Sequence, residues 1–488
     1  MSVNKPFGPP ARRIAAVALR ATGLWLPLLI AFAGHANSSQ GAGDESPTVI
    51  ILHPAPAPKP LLQYQLLPTM YERRSGNAAV FYGRVKSEHT LYFSSKEIWD
   101  EIYETDDAAL SRVGEMKHAR LDHGDALFIN LERAGQCEEC DWQYPVAEDG
   151  FATGLPDAQE KREFARMLRA DIRWRVAHGD FDGALRSLKA GYAMARHTAD
   201  SPLLVPALIG IAINGVMSDA TLELIQQPGA PNLYWALTYL PQPFYNTRQI
   251  FEGEMQCFEA AFPQLTDSDQ SIAAPDYWRR QLEEMADTYM IHICASDAER
   301  AEFKQKMALR LVRGYPIAKA ALIARGWDPQ RVAAMPAGQV ILLHTAAVYA
   351  EYRDEMLALV SLPYWEARSR LNEFDSRIAR DHKVWQSPLP LDRVFPSVYG
   401  GRHALMRQDR QIALLRLLEA LRLHAAGEKA AIPQSLDEVA VPIPVDPMTG
   451  KPFEYEVHDG TAAIGGPPTY VGGRPFRYEV RLAAAGKE

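Results

Sequence analysis

The sequence of 488 residues is poor in cysteine, with only four. Four cysteines cannot build a disulfide scaffold of this size, so a hydrophobic core must hold the fold. The chain also has no GxxxxGK[ST] loop, no GxGxxG after a strand, no GxSxG elbow and no HExxH motif. These absences remove the commonest signatures of nucleotide binding, serine hydrolysis and zinc proteolysis.

The first 36 residues differ from the rest of the chain. They carry Lys5, Arg12 and Arg13 and no acidic residue, followed by an apolar run at 21–34 and small residues at 31–36. This order is typical of a secretory signal peptide. The apolar run is shorter than the ~20 residues that a membrane span requires. The sequence therefore predicts export to the periplasm or the exterior, with an uncleaved N-terminal anchor as the alternative.

Charge argues against a nucleic-acid partner. Removing residues 1–36 leaves 48 Lys and Arg against 60 Asp and Glu, a formal charge of −12 rather than −8. Phosphate contacts need clustered cations, and we find no basic run in this part of the chain. We expect no nucleic acid, no cofactor, and contact with a membrane only through the N-terminal segment if it stays uncleaved.

Composition and periodicity predict a mainly α fold. Packed helical hairpins, TPR-like or α-solenoid-like, precede a helix and a small antiparallel β-sheet at the C-terminus. The predicted parts are a signal peptide at 1–36, a Pro-rich spacer at 37–60, an α-helical body at 61–380, a linker at 381–404 and a C-terminal module at 405–488.

The segment 158–199 gives the clearest helical pattern. Apolar residues recur every four positions before the turn at 178–180, and small residues form a stripe after it. The turn and the small residues resemble one tetratricopeptide hairpin, but no regular period of about 34 residues recurs elsewhere. The residues are Phe164, Leu168, Ile172 and Val176, then Ala184, Leu188, Gly191 and Ala195.

Other helices are predicted from periodicity and capping residues, with Asn77, Ser95 and Asn232 as candidate N-terminal caps. The apolar stretch 203–225 contains polar residues and Pro206, so we predict a buried core helix rather than a membrane span. Further helices are predicted from 61 to the break at 75–77, then from 77, and at 246–262, 276–294, 297–313, 315–325, 338–360, 363–380 and 405–426.

Near the C-terminus, "KPFEYEV" at 451–457 is echoed by "RPFRYEV" at 474–480. Aromatic and charged residues alternate in both, which indicates strands. If the two pair antiparallel, Arg477 and Arg481 lie near Glu454 and Glu456, and the aromatic faces pack on the preceding helix. With the turn residues between 446 and 450, the two strands are predicted to have a structural role in one small sheet. The alternative is a ligand-binding role for Asp446.

Cys137 and Cys140 form a CxxC motif. It is compatible with a local disulfide, inert thiols, half of a metal site or a redox pair. Its acidic neighbours raise a thiol pKa, and no thioredoxin-like context surrounds it, so a structural disulfide or inert thiols are favoured. Cys257 and Cys294 are not a close pair, as a second half of a zinc site would require, but could form another disulfide.

Weaker candidates for chemistry each have a structural alternative. "LDHGD" at 121–125, with His118 nearby, could hold a metal, although a solvated helix end is the commoner meaning. His344 and Glu351 lie two helical turns apart on one face. The sequence therefore predicts no catalytic, cofactor-binding or metal residue.

Five segments carry a resemblance to known proteins: 64–82, 140–145, 179–197, 223–243 and 432–457. Together they resemble a family of exported planctomycete proteins. The resemblance implies an exported, mostly helical protein with no established activity and no catalytic residues to carry over. Separately, the P…DP…G.PF.Y tail is similar to the closing segment of type II secretion pseudopilins, without the long pilin helix before it.

These observations lead to two main functional hypotheses, beside a third of structural assembly in the envelope through the C-terminal module. The first is an exported, non-catalytic interaction or scaffold protein of the cell envelope, because helical hairpins present concave surfaces to protein segments. The alternative is a secreted, hydrolase-type enzyme with an unfamiliar site, which a cleft of buried carboxylates and histidines would indicate.

Overall fold

A computed structural model describes the greater part of the chain. The predicted signal peptide at 1–36 lies outside the described residues, as do the first residues of the predicted spacer. The described residues are 48–117, 126–150, 153–155, 160–266, 271, 274–292, 294, 296–383, 395, 397–427, 430–468 and 475–483.

The predicted mainly α fold with a small C-terminal sheet is confirmed. The helices are α1 (Ala78–Glu88), α2 (Thr90–Ser94), α3 (Lys96–Asp107), α4 (Leu110–Val113), α5 (Ala126–Gly135), α6 (Val146–Asp149), α7 (Glu160–Ala177), α8 (Phe181–Ala199), α9 (Leu204–Ile225), α10 (Tyr234–Thr238), α11 (Thr247–Ala261), α12 (Pro275–His292), α13 (Asp297–Ala324), α14 (Pro329–Ala334), α15 (Ala337–Val360), α16 (Tyr364–Lys383) and α17 (Val398–Ala425). The strands are β1 (Thr48–Leu52), β2 (Arg74–Asn77), β3 (Cys137–Glu139), β4 (Val445–Asp446), β5 (Lys451–Pro452), β6 (Glu454–His458), β7 (Thr461–Gly466) and β8 (Phe476–Leu482).

Helix α9 lies at the centre of the fold, where it packs against α7, α8 and α17. Among the described residues, it is the one helix long and apolar enough to cross a membrane. Its polar residues are nevertheless bonded inside the protein: Ser218 donates to Asn214 Oδ1 at 3.2 Å, and Gln408 donates to Ser218 at 3.3 Å. The prediction of a buried core helix is confirmed.

The predicted hairpin at 158–199 is also confirmed as α7 and α8. Gly179 adopts φ +72° in the turn, and the Asp180 carboxylate accepts the Gly183 N–H at 2.9 Å to cap α8. Gly191 faces α9 so closely that a Cβ there would lie 2.0 Å from Met217 Sδ. The small-residue stripe therefore permits the close approach of α8 and α9.

Two predictions near the N-terminus have different outcomes. Asn77 and Ser95 do cap helices, accepting the N–H groups of Ala79 at 3.0 Å and Ile98 at 3.4 Å. The helix predicted from residue 61 to the break at 75–77 is wrong, because that segment consists of turns and irregular backbone followed by β2. Pro68, which would remove a helical hydrogen bond, lies inside it.

The prediction of separate helices at 297–313 and 315–325 is wrong, because α13 runs unbroken through Pro316. A proline at 316 removes the bond to the carbonyl of Val312. Val312 is 73% exposed, so water can satisfy that carbonyl. The opposite face of α13 packs on α15 and stabilises the helix across the proline.

The C-terminal sheet has the strand order β1–β8–β7–β6. Strands β6 and β8 exist as predicted but do not pair with each other, since β7 lies between them and is antiparallel to both. The predicted approach of Arg477 to Glu454 is therefore wrong: both residues lie opposite Gly465, on its two sides. β1 adds to the sheet in parallel with β8, so residues 48–52 of the predicted spacer form a strand.

The predicted linker at 381–404 also needs correction. Helix α17 begins at Val398, where the side chain of Ser397 accepts the Gly400 N–H at 3.0 Å. The core is continuous from the helical body into the C-terminal sheet, so the linker does not separate two cores.

Candidate functional site

The four cysteines, all among the described residues, are not joined in disulfides. Cys257 is buried beside Val146 and Leu203, and burial, with Glu254 nearby, raises its pKa to about 12. Cys294 belongs to a different, larger apolar cluster. The structure does not join Cys257 to Cys294, and a disulfide between them stays a prediction.

Cys137 and Cys140 are held apart by backbone conformation. Residues 137–139 are extended in β3, which pairs with β2. Three extended steps span roughly 10 Å, whereas a disulfide requires Cα atoms within about 7 Å. Burial raises the pKa of both thiols, which keeps them protonated and weakly nucleophilic. The inert-thiol interpretation fits this geometry, and a Cys137–Cys140 disulfide stays a prediction that would require β3 to rearrange.

The "CDWQYP" segment positions an aromatic cluster around a buried histidine. Tyr82 stacks on Trp142 at 5.5 Å and bonds His197 Nδ1 at 3.0 Å. Trp142 donates to the His197 carbonyl at 2.8 Å, and the Lys161 amine lies 3.4 Å above its ring. Burial, with Arg196 nearby, lowers the pKa of His197 to about 4, so the imidazole is neutral near pH 7. This packing is structural in character.

The structure describes only some of the weaker candidates and does not bring those together. The segment 121–125 and His118 lie outside the described residues. His344 is buried, whereas Glu351 is exposed and pairs with Arg325 at 2.9 Å. Asp446 is buried and its carboxylate is occupied structurally, by Arg410 at 2.8 Å and by the backbone N–H of Met448 at 2.9 Å.

The segment "PGAPNLYWAL" at 228–237 is tied to α17 by a buried ion pair. Glu419 and Arg422 are both fully buried and lie 3.0 Å apart. Glu419 also accepts the Leu233 N–H at 3.0 Å, and Arg422 donates to the carbonyls of Ala230 and, near the N-terminus, His53. This ion pair joins three distant parts of the chain.

The candidate binding site is an open groove between α12 and α13. Both helices pack on α15 and make fewer contacts with each other, which leaves a groove of about 370 Å³ between them. Met290, Phe303, Met307 and Leu311 give it an apolar surface, and Phe303 is held in place by stacking on Tyr289 at 4.4 Å.

Charged residues line the groove at its rims. Glu283 and Asp287 lie on the α12 wall and Lys304 on the α13 wall. Glu283 pairs with Arg279 at 2.8 Å along its own helix. Ile291 follows at the end of α12 and is exposed, so apolar surface continues beyond the groove. The arrangement is an apolar channel with charged edges.

Comparison with known proteins adds no assignment: no family model, curated protein or solved structure matches the chain. In the part of the chain that the structure describes, no group of three or more His, Cys, Asp or Glu side chains is placed to hold a metal ion.

The groove was not predicted from the sequence, although part of its signal is present there. Phe303, Met307 and Leu311 recur every four residues, which marks one face of a helix. The sequence predicts that this helix ends at residue 313, before Pro316. The prediction therefore does not include the full length of α13. The spreading of α12 from α13 depends on how both pack on α15, and no local pattern specifies that.

Proposed function

We propose that this protein is an exported, non-catalytic interaction protein of the cell envelope that binds an apolar segment of a partner protein in the α12–α13 groove. The observation that carries this proposal is the groove itself, which is open, apolar along its length and charged at its rims. Its volume falls near the lower end of the range of about 300–1,000 Å³ found for binding pockets. The N-terminal sequence pattern supports export.

The groove walls favour a helical or extended protein segment as the occupant. Met290 and Met307 have flexible, polarisable side chains that adapt to differently shaped apolar groups. An amphipathic helix places anchors at i, i+3, i+4 and i+7, which matches a channel between two helices. Asp287 and Lys304, on opposite walls, would then fix the direction in which the segment lies.

The test is affinity capture by residues 37–488 from an envelope extract of the host, with groove variants as the comparison. Ala286→Glu and Ala308→Glu each place a carboxylate in the groove, and Ala308 is exposed, so the fold should tolerate the change. Ala333→Glu makes the same change on exposed α14, away from the groove.

We expect wild type and Ala333→Glu to retain the same partner, and both groove variants to lose it. Mass spectrometry identifies the partner, and thermal melting checks that the variants are folded. Capture of no partner by the wild type, or equal capture by the groove variants, would contradict the proposal.

A further inference from the structure

The two walls of the α12–α13 groove carry opposite charges. On the α12 wall Glu283 and Asp287 are exposed carboxylates, and on the α13 wall Lys304 is an exposed amine. Glu283 already pairs with Arg279 along its own helix. Among the residues that the structure describes, neither Asp287 nor Lys304 forms an ion pair or a hydrogen bond through its side chain. Two opposite charges therefore line the groove without a partner.

Asp287 and Lys304 lie at nearly the same height along the two helices. The short connection between α12 and α13 makes them antiparallel neighbours. Tyr289 stacks on Phe303 at 4.4 Å, which brings residues 289 and 303 to one level. Asp287 lies two residues before Tyr289, and Lys304 lies one residue after Phe303. At a rise of about 1.5 Å per residue, both lie on the same side of that level, and their heights differ by about 1.5 Å.

This arrangement is complementary to itself under two-fold symmetry. A two-fold axis that runs along the groove, parallel to the helices, places α12 of one copy against α13 of the other and leaves every residue at its own height. Asp287 of each copy then meets Lys304 of the other copy, and the two pairs are equivalent. A two-fold axis perpendicular to the helices would instead oppose α12 to α12 and bring carboxylates together. The charges therefore favour the first arrangement.

Small and apolar side chains on the same walls permit two copies to pack closely. Ala286 and Ala308 lie within the groove, where their size lets the helices of a second copy approach. Val312, one turn after Ala308, is 73% exposed, and Ile291, one turn after Asp287, is 58% exposed. Residues one turn apart share a side of a helix, so the apolar surface continues beyond the groove on both walls.

We propose that the α12–α13 groove is the interface of a symmetric homodimer, in which the helices of each copy fill the groove of the other. The inference rests on the proposed function and deepens it, because it names a second copy of this chain as the partner. The four helices form a bundle, with two Asp287–Lys304 pairs between the copies. Its apolar centre consists of Met290, Phe303, Met307 and Leu311.

A second copy fits the groove better than an unrelated segment does. A different protein must bring a cation and a carboxylate matched in height and side to Asp287 and Lys304. A second copy carries both charges in the required places, on a surface that is also apolar. The same residues therefore provide both the groove and its occupant.

The test is sedimentation velocity of purified residues 37–488 over a wide range of protein concentrations. The wild type should reach twice the monomer mass as the concentration rises. Asp287→Lys and Lys304→Asp should each weaken dimerisation roughly 25-fold, at about fivefold for each of the two equivalent pairs, because attraction becomes repulsion. Lys451→Asp and Glu456→Lys are matched controls, since both residues are exposed on β5 and β6, outside the groove, and they should dimerise as wild type.

Two combinations of the charge variants test the geometry. A chain that carries both Asp287→Lys and Lys304→Asp again places opposite charges across the interface, so it should dimerise as wild type. An equal mixture of the two single variants should form a heterodimer, because a chain with two lysines meets a chain with two aspartates. Damage to the fold of either chain would produce neither result, and thermal melting checks that each variant is folded.

A wild type that is monomeric at every concentration, or single variants that dimerise as tightly as the wild type, would overturn the homodimer. Affinity capture with the groove variant Ala286→Glu separates this failure from a failure of the proposed function. If the wild type is monomeric but captures another protein that Ala286→Glu loses, the groove binds a partner and the homodimer is wrong. If the wild type is monomeric and captures no protein, both proposals are wrong.

Discussion

Replacing Arg422 by Met tests how strongly one buried side chain holds distant parts of the chain together. Arg422 donates to the carbonyls of His53 at 2.9 Å, Ala230 at 2.8 Å and Pro231 at 3.2 Å, and pairs with both oxygens of Glu419. Methionine fills much of the same volume but donates no hydrogen bond. The substitution therefore leaves one carboxylate and three carbonyls without their cationic donor.

The expected loss in the free energy of unfolding is about 3–5 kcal/mol, the cost of removing one partner of a buried ion pair. Urea unfolding followed by tryptophan fluorescence and circular dichroism measures it. Arg248→Met is the matched control: Arg248 pairs with Glu252 on an exposed helix face, and its loss should cost below about 0.5 kcal/mol.

A double variant separates the stranded charge from the lost bonds. Glu419→Gln with Arg422→Met removes the unpaired carboxylate yet keeps an oxygen that accepts the Leu233 N–H. It should be more stable than Arg422→Met alone. A loss below about 1 kcal/mol for the single variant, or a double variant no more stable than the single one, would refute this reasoning.

The effect of Arg422→Met should also depend on pH. Burial raises the pKa of Glu419 from 4.5 to about 7, although Arg422 lowers it, so removing Arg422 raises it further. Below the unfolded-state pKa, Glu419 is protonated in both states and contributes no penalty. As pH rises from there through the folded-state pKa, the unfolded state ionises more easily and folding loses stability. The wild type loses stability in the same way up to its own folded-state pKa of about 7, so the destabilisation caused by Arg422→Met should grow with pH above about 7, up to the higher pKa of Glu419 in the variant.

Three further predictions follow from close packing and burial. Gly253→Ala should destabilise the protein by about 1–3 kcal/mol, because the added Cβ would lie 2.0 Å from the Pro202 carbonyl oxygen. Gly215→Ala, with open space around the added Cβ, should stabilise the protein by about 0.5–1 kcal/mol. Equal melting temperatures of the two variants would contradict this prediction. Asp446→Asn, which strands the Arg410 charge, should cost about 3 kcal/mol in urea unfolding, and an unchanged midpoint would favour a binding role for Asp446. The buried thiols should resist iodoacetamide at pH 8 until the protein is unfolded, and rapid labelling of the native protein would show that they are accessible.

Local patterns in the sequence were sufficient for much of the fold. The four-residue spacing of Phe164, Leu168 and Ile172 predicts α7, and Asp180 marks the start of α8, because the capping and apolar contacts are made within one hairpin. The buried core helix at 203–225 was also predicted from a local pattern, since its polar residues lie inside an otherwise apolar run.

Non-local pairing was not predictable in this way. Strand β7 has the weak alternation of Ala462 and Ile464 among small residues, so its place between β6 and β8 is not visible in the sequence. Strand β1 pairs with β8 from the other end of the chain, and only the folded structure brings them together. The groove depends on the packing of α12 and α13 on α15.

The measurement that most directly tests the central claim is photo-crosslinking from the groove in the host envelope. A crosslinking residue replaces Ala308, which is exposed inside the groove, or Ala320, which is exposed on the other side of the same helix. We predict that the probe at 308 attaches to an apolar segment of one protein and that the probe at 320 does not. Adducts of equal yield from both positions, or no protein adduct from 308, would contradict binding in the groove.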